Sequence, residues 1–240
     1  VARKGSDRFP HYSPDGATVA FVSDGGEPNW ALTSDVWTIP SRGGEAKRLP
    51  LTPDRSFTYY GNFLGWSADG KSLYVNEASH VYWSVFTVPL EGTVRRFTTD
   101  ASSFSDVSLS RDGRHMAFIR QTSEESPEVY LTGTDRCAPI LMSNANPDFP
   151  KLPVTKTETV TWKSKDGRVI EGLLTYPAGY IFGKQRCPLI LIVHGGPHSF
   201  FYHTYTAAGA TYPIQAYTHA GYAVLRPNPR GSSGYGREFR

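Results

Sequence analysis

The feature that most constrains this chain is a repeat. Ser13-Pro-Asp-Gly16, Ser67-Ala-Asp-Gly70 and Ser110-Arg-Asp-Gly113 each stand between two short stretches of alternating apolar and polar residues. Asp-Gly between two period-2 runs specifies a tight hairpin, because glycine takes the positive φ that the turn demands. A third strand-like run follows each hairpin, at Asp35 to Ile39, Val81 to Val88 and Glu128 to Leu131. A short fourth comes after it, at Ala46 to Leu49, Val94 to Phe97 and Pro139 to Met142. Four strands recurring every roughly 40–50 residues is the blade unit of a β-propeller. The longer first copy reads as carrying an inserted loop, Gly25 to Ser34. Three blades fall short of a closed ring, which takes about four to eight, so the reading expects further blades before Val1.

One pattern inside the repeat misleads. Gly65-Trp-Ser-Ala-Asp-Gly70-Lys71-Ser72 matches a phosphate-binding loop letter for letter. That loop works only when a helix follows and aims its first amides at the phosphates. Here Leu73-Tyr-Val75 continues as a strand, and the sister copies keep the hairpin without the lysine-serine pair. The pattern is read as a hairpin. Glu124-Glu125, in the loop after the third hairpin, is read as a solvated loop rather than as paired carboxylates for a substrate amine.

The grammar changes after the proline-rich stretch from Asn144 to Pro153, read as a connector between domains. Glu158 to Trp162 and Val169 to Thr175 read as a hairpin around Asp166-Gly167. The apolar run Leu189 to Val193, bounded by Pro188 and Gly195, reads as a short strand of a parallel sheet buried on both faces. Thr204 to Ala220 reads as an alanine-rich helix kinked or broken at Pro213 and stopped by Gly221. Tyr222 to Leu225 is a further buried strand. Hairpin, strand, helix, strand is how an α/β sheet with a crossover opens. Where the run Leu189 to Val193 ends, at His194-Gly195-Gly196-Pro197, a tight backbone turn leaves amides pointing outward. Free amides at the carboxyl end of a buried strand form an anion hole of the kind acyl-transfer enzymes use.

These residues carry a resemblance. His194-Gly-Gly-Pro197, the helix, and Asn228-Pro-Arg-Gly-Ser-Ser-Gly-Tyr-Gly236 resemble the start of the catalytic domain of the prolyl oligopeptidase family, nearest its acylaminoacyl-peptidase and dipeptidyl-aminopeptidase-like branch. The Ser-x-Asp-Gly copies resemble that family's propeller, so the likeness covers essentially the whole chain. It implies a partial β-propeller of about three blades in residues 1–150, followed by the N-terminal part of an α/β-hydrolase domain in residues 151–240. It implies a serine-type peptidase that hydrolyses short or N-acylated peptides through an acyl-enzyme. Gly195 and Gly196 match the family's oxyanion loop, with the Gly196 N–H as the donor. His194, where some members have tyrosine, and Arg230 line the site.

An α/β-hydrolase needs a serine within Gly-x-Ser-x-Gly, with its acid and histidine further along. No serine here has glycine on both sides at that spacing. None of the Ser/Asp/His triad is therefore expected within these residues: the chain, opening on Val1 and stopping at Arg240, reads as a piece truncated before the nucleophile and inactive alone. An esterase-like hydrolase and a non-catalytic propeller binding protein remain alternative readings.

Composition narrows the partners. A formal charge of +3, with 25 basic and 22 acidic residues and no basic tract, gives no expectation of nucleic acid. The longest apolar run is far short of a membrane span. No cofactor is expected, and no metal, because Gly-Gly-Pro between His194 and His198 breaks the helix that a paired-histidine site needs. Peptide is the expected partner, with self-association into a homo-oligomer left open. Cys137 and Cys187 read as free thiols rather than a disulfide framework, which with no visible leader makes the cytoplasm the default compartment.

Overall fold

The structure is a computed structural model that describes residues 5–26, 33–56, 62–145, 147, 153–196, 198–208 and 211–240. Its strands form four sheets of four. The first holds β1 (Asp7–Tyr12), β2 (Thr18–Ser23), β3 (Asp35–Pro40) and β4 (Lys47–Arg48). The second holds β5 (Asn62–Trp66), β6 (Ser72–Ser79), β7 (Tyr82–Pro89) and β8 (Arg95–Arg96), and the third β9 (Ser103–Leu109), β10 (His115–Gln121), β11 (Glu128–Gly133) and β12 (Ile140–Leu141). Within each, neighbours in sequence are neighbours in space and run antiparallel. The insertion expected at Gly25 to Ser34 and the connector expected at Asn144 to Pro153 fall largely outside the described residues.

The turn explains why the three sheets begin alike. In each copy the serine hydroxyl donates to the aspartate two residues on, at 2.6, 2.7 and 2.6 Å. The same hydroxyl accepts the backbone N–H five residues on, at 3.0, 3.0 and 2.9 Å. These serine donors, with a backbone N–H from Ala17, Lys71 or Arg114, hold the Asp15, Asp69 and Asp112 carboxyls below the ordinary range. The glycines take φ of +71°, +67° and +69°, a region closed to most side chains. Ser72 opens β6 rather than a helix, so Gly65 to Ser72 is a hairpin and not a phosphate loop. The turn also occurs at Ser164-Lys-Asp-Gly167, where Ser164 donates to Asp166. It therefore marks a hairpin rather than the repeat itself.

The three sheets pack with β1 against β5 and β5 against β9. Ala20, Val22 and Val36 meet Trp66, Leu73 and Val88 between the first two, and Tyr74 and Val85 meet Phe104, Met116 and Phe118 between the second and third. Trp66 crosses one of these seams, its ring N–H donating to the His11 carbonyl at 3.0 Å.

The fourth sheet runs in the order β13 (Thr157–Lys163), β14 (Val169–Thr175), β16 (Ala223–Asn228), β15 (Leu189–Leu191). Its first two contacts are antiparallel, while β15 and β16 run parallel and are joined through α1 (Ile214–His219). Two sequence expectations need correction. The run Leu189 to Val193 is not buried on both faces: β15 lies at the sheet edge, Ile192 packs with Ile214 and Val224, and Leu189, Leu191 and Val193 are more than half exposed. Only one face of this edge has a layer on it among the described residues. The helix is also far shorter than Thr204 to Ala220. It starts only after Pro213, whose ring removes the N–H a longer helix would need, and the backbone N–H groups of His203 and Thr206 donate instead to the β6–β7 turn and the β10–β11 loop. Its end follows expectation. Gly221 at φ +91° donates to Thr218 O and Tyr222 to Tyr217 O, the paired bonds of a glycine stop.

Several buried contacts join the fourth sheet's loops to the repeats. His203 N–H donates to Val81 O at 2.9 Å and Thr206 N–H to Ser123 O at 3.1 Å. Asp54, fully buried, pairs with Arg240 at 2.8 Å and accepts the Gly236 N–H at 2.9 Å. Beside it Glu77 accepts hydrogen bonds from Thr52 and from the amides of Asp54 and Arg55. Burial and then the Asp54 charge push the Glu77 carboxyl up to about 8. Among the described residues no helix is long and apolar enough to cross a membrane.

The raised Glu77 pKa sets a sign. The folded state keeps a proton that the unfolded chain releases above about pH 4.3, so this group lowers stability as pH rises from there to about 8. Glu77→Gln is expected to flatten the decline in unfolding free energy between those limits, read by urea titration at each pH. Parallel curves for the two proteins would contradict it.

Candidate functional site

Because β15 and β16 run parallel, their carboxyl ends open on the same side, where open α/β sheets bind ligands. His194 to Gly196 follows β15, and the loop from Pro229 to Gly236 follows β16. The sequence-predicted site residues fall on these two adjoining loops.

Gly195 and Gly196 are both exposed but not equivalent. Gly196 has φ +135°, and a Cβ there would lie 2.9 Å from Ser199 N. Gly195 has an ordinary φ and open space around it. The Gly196 N–H has no hydrogen-bond acceptor among the described residues, as an anion donor must.

His194 is half-buried, and burial holds its imidazole below its ordinary value. Its Nε2 lies 2.8 Å from Ser232 Oγ and its Nδ1 3.1 Å from Gly195 O. Its ring meets Phe201 edge-on at 5.4 Å. Arg230 turns to the β13–β14 hairpin, where its guanidinium pairs with Asp166. Ser233, which misses the Gly-x-Ser-x-Gly pattern because Tyr235 follows it at the second position, donates from both N–H and hydroxyl to the buried His198 carbonyl, at 3.2 and 2.5 Å. The sequence reading assigned no role to Asn228. It accepts the Phe201 N–H at 2.7 Å and donates to Phe201 O at 2.9 Å, mimicking a strand neighbour. Both stand in the polar, glycine-rich stretch that begins at the end of β16, a sign of local hydrogen bonding but not of which carbonyl each reaches.

Two serine hydroxyls lie against a histidine ring, Ser232 and Ser123. Ser232 touches His194, and Ser123 lies 2.8 Å from His203, whose imidazole burial and then Arg226 push down to about 4. Both serines are wholly buried, so neither reaches a substrate. Glu124 accepts the Thr157 N–H at 2.8 Å and Glu125 pairs with Arg120 at 3.2 Å, so both have structural partners. No group of three or more His, Cys, Asp or Glu side chains able to hold a metal occurs among the described residues. A cavity of about 670 Å³ lies elsewhere, lined by Val154, Tyr176, Tyr180, Phe182 and His219, where β13 starts and β14 ends.

Comparison with known proteins gives the following. No protein-family model matches the chain. It is 30% identical over 175 residues to the uncharacterized peptidase YuxL of Bacillus subtilis, a match covering 72% of this chain and 26% of that protein. It is 25% identical over 246 residues to dipeptidyl-peptidase 5 of Trichophyton schoenleinii, covering 98% of this chain and 32% of that one. Among solved structures it matches an acylaminoacyl peptidase in complex with Z-Gly-Gly-Phe-chloromethyl ketone, with TM-score 0.74 and 18% identity over all of this chain and 35% of that one. It also matches a Mycobacterium tuberculosis puromycin-hydrolyzing peptidase, with TM-score 0.60 and 17% identity over all of this chain and 44% of that one. At those identities the structural likeness is one of fold. The chain spans about a quarter to a third of the length of the curated relatives it matches.

The geometry separates the two glycines experimentally. Gly196→Ala is expected to cost about 1–3 kcal/mol of stability from its positive φ and close contacts, and Gly195→Ala less than about 0.5 kcal/mol. Equal losses in urea unfolding would show that the turn does not depend on Gly196.

Proposed function

As a member of the prolyl oligopeptidase family, this chain is, we propose, the part of a serine peptidase that joins the end of a β-propeller to the opening strands of an α/β-hydrolase domain, the division lying near residue 150. Three antiparallel sheets of like order, packed first strand to first strand, support the blade reading. The mixed sheet with its β15–α1–β16 crossover supports the hydrolase reading. The intact protein hydrolyses short or N-acylated peptides.

One observation carries the chemistry: the Gly196 N–H, unpartnered among the described residues, on a loop at the carboxyl end of a parallel strand. In the proposed reaction a serine beyond Arg240, set in Gly-x-Ser-x-Gly, attacks the peptide carbonyl carbon. The carbonyl oxygen becomes an oxyanion and accepts the Gly196 hydrogen bond. The amine leaves as the C–N bond breaks, taking the proton the serine hydroxyl gave up, and water then adds to the acyl carbon, releasing the acid and restoring the serine hydroxyl. An amide fixed in place before reaction needs no reorganisation as charge develops, and losing one such donor costs about a hundred- to a thousandfold in kcat. His194 and Arg230 belong to the loops that border this point. Cys137 and Cys187 carry no disulfide, which suits a reducing compartment such as the cytoplasm.

The intact protein is expected to be labelled by a fluorophosphonate at one serine beyond Arg240 and to release nitroaniline from a blocked short-peptide nitroanilide. Residues 1–240 alone are expected to release none above background. Turnover of esters but no peptides would move the reading to an esterase. Absence of both labelling and turnover would leave a non-catalytic binding protein.

A further inference from the structure

We infer that His80 and Glu171 form a pH-sensitive latch between the second and fourth sheets. β6 ends at Ser79 and β7 begins at Tyr82, so His80-Val81 is a two-residue hairpin loop. Where the first central residue of such a loop has positive φ, glycine is favoured. His80 takes that place at φ +53°. A side chain held at a strained backbone position points to a use for that side chain. The hairpin also meets the loop after β16 backbone to backbone. The His80 N–H donates to Gly234 O at 2.8 Å, and a Cβ at Gly234 would lie 2.7 Å from His80 O.

The imidazole extends this contact across the seam. Its Nδ1 lies 3.1 Å from Glu171 Oε2, and its ring meets Tyr235 edge-on at 5.3 Å. Glu171 belongs to β14 and stands opposite Asn228 of β16. The Asn228 side chain donates to the Tyr235 hydroxyl at 3.0 Å, and that hydroxyl in turn acts on Glu171. The His80 side chain is 63% exposed and the Glu171 side chain 17%. Protons therefore reach the histidine freely, while the carboxylate it covers is sheltered from water. Among the described residues, Glu171, Arg96 of β8 and Tyr235 of the loop after β16 act on the imidazole. The Glu171 carboxylate raises His80 above its ordinary value, against burial and the Arg96 charge. Burial works against ionised Glu171, yet His80 and then Tyr235 hold its carboxyl below the ordinary range.

These opposite directions set a window. The His80 contribution is full below its ordinary value of 6.5 and is lost as pH rises through its higher folded value. The Glu171 contribution holds above its ordinary value of 4.5 and is lost as pH falls through its lower folded value. The latch is therefore tightest between about pH 4.5 and 6.5 and loosens toward alkaline pH. Once the imidazole is neutral, its Nδ1 can still donate a hydrogen bond, but the charge that balanced the sheltered carboxylate is gone.

The test uses the intact protein. NMR titration of the His80 ring is expected to give a value above 6.5, and Glu171→Gln to bring it to 6.5 or below, since burial and Arg96 then act unopposed. Hydrogen exchange gives a second reading at two amides that cross the seam, those of His80 and His203, which donate to Gly234 and Val81. Corrected for its intrinsic pH dependence, this exchange is expected to quicken about two- to fivefold from about pH 6 to about pH 8.5, as loss of a partly exposed ion pair allows. Glu171→Gln and His80→Asn, whose asparagine tolerates positive φ, are each expected to remove that rise. A wild-type His80 titrating at 6.5 or below, the same value in folded Glu171→Gln, exchange flat across this range, or a rise that survives both variants would overturn the inference. The wild-type readings decide it even where a variant fails to fold.

Discussion

The glycine loop is placed by the stretch from His198 to Thr206, which must satisfy two partners at once. On one side Asn228, buried at the end of β16, binds both backbone atoms of Phe201, and Ser233 binds the His198 carbonyl twice. On the other side His203 and Thr206 donate to Val81 in the β6–β7 turn and Ser123 in the β10–β11 loop, and the His203 ring stacks on Tyr82 at 4.9 Å. A segment held from both sides cannot be helical, since its amides are spent on other elements. Gly196 stands two residues before this segment, on the loop that leads into it. Stripping one partner from a buried polar group of this kind costs about 1–3 kcal/mol, so the arrangement resists piecemeal loosening.

Electrostatics at the junction follow the same logic. Two carboxylates, Asp54 and Glu77, lie buried in one place with Arg240 on Asp54. Charges so close cannot both be ionised cheaply in a medium with little water. Glu77 makes no ion pair among the described residues, only hydrogen bonds from a hydroxyl and two amides, and burial with the Asp54 charge pushes its carboxyl up to about 8. Asp54 takes the guanidinium. The pair ties the loop after β16 to the loop before β5, so the same loop that carries Ser232 is fixed at its far end. In the proposed reaction the described residues supply the Gly196 amide donor, while Ser123 and Ser232, whose hydroxyls lie against histidine rings, are buried.

Much of this was legible in the sequence, for physical reasons that differ by element. The hairpins read cleanly because Ser-x-Asp-Gly closes its own hydrogen bonds, so tertiary packing has little to override. Ser164 to Gly167 shows the other side of that strength, since the same local turn serves a sheet outside the repeat. The run from Leu189 to Val193 was legible as a strand but not as an edge, because apolarity says nothing about how many faces are covered. The helix was overread: alanines at positions 207, 208, 210, 216 and 220 state a local preference that Pro213 and the tertiary bonds of His203 and Thr206 overrule. At the site, Gly195 and Gly196 were visible as a pair, whereas their difference in φ was not. Ser232, Ser233 and Asn228 escaped because their importance lies in which carbonyl they reach, a long-range fact that no local pattern encodes.

The central claim is that the Gly196 N–H receives the charge of an acyl-transfer intermediate. A crystal structure of the intact protein carrying a peptide boronate tests it most directly. The account predicts a covalent bond from boron to a serine beyond Arg240 and a boronate oxygen about 2.7–3.1 Å from Gly196 N. A boronate bound to that serine with its oxygens turned away from Gly196, and the Gly196 amide donating to protein instead, would contradict it.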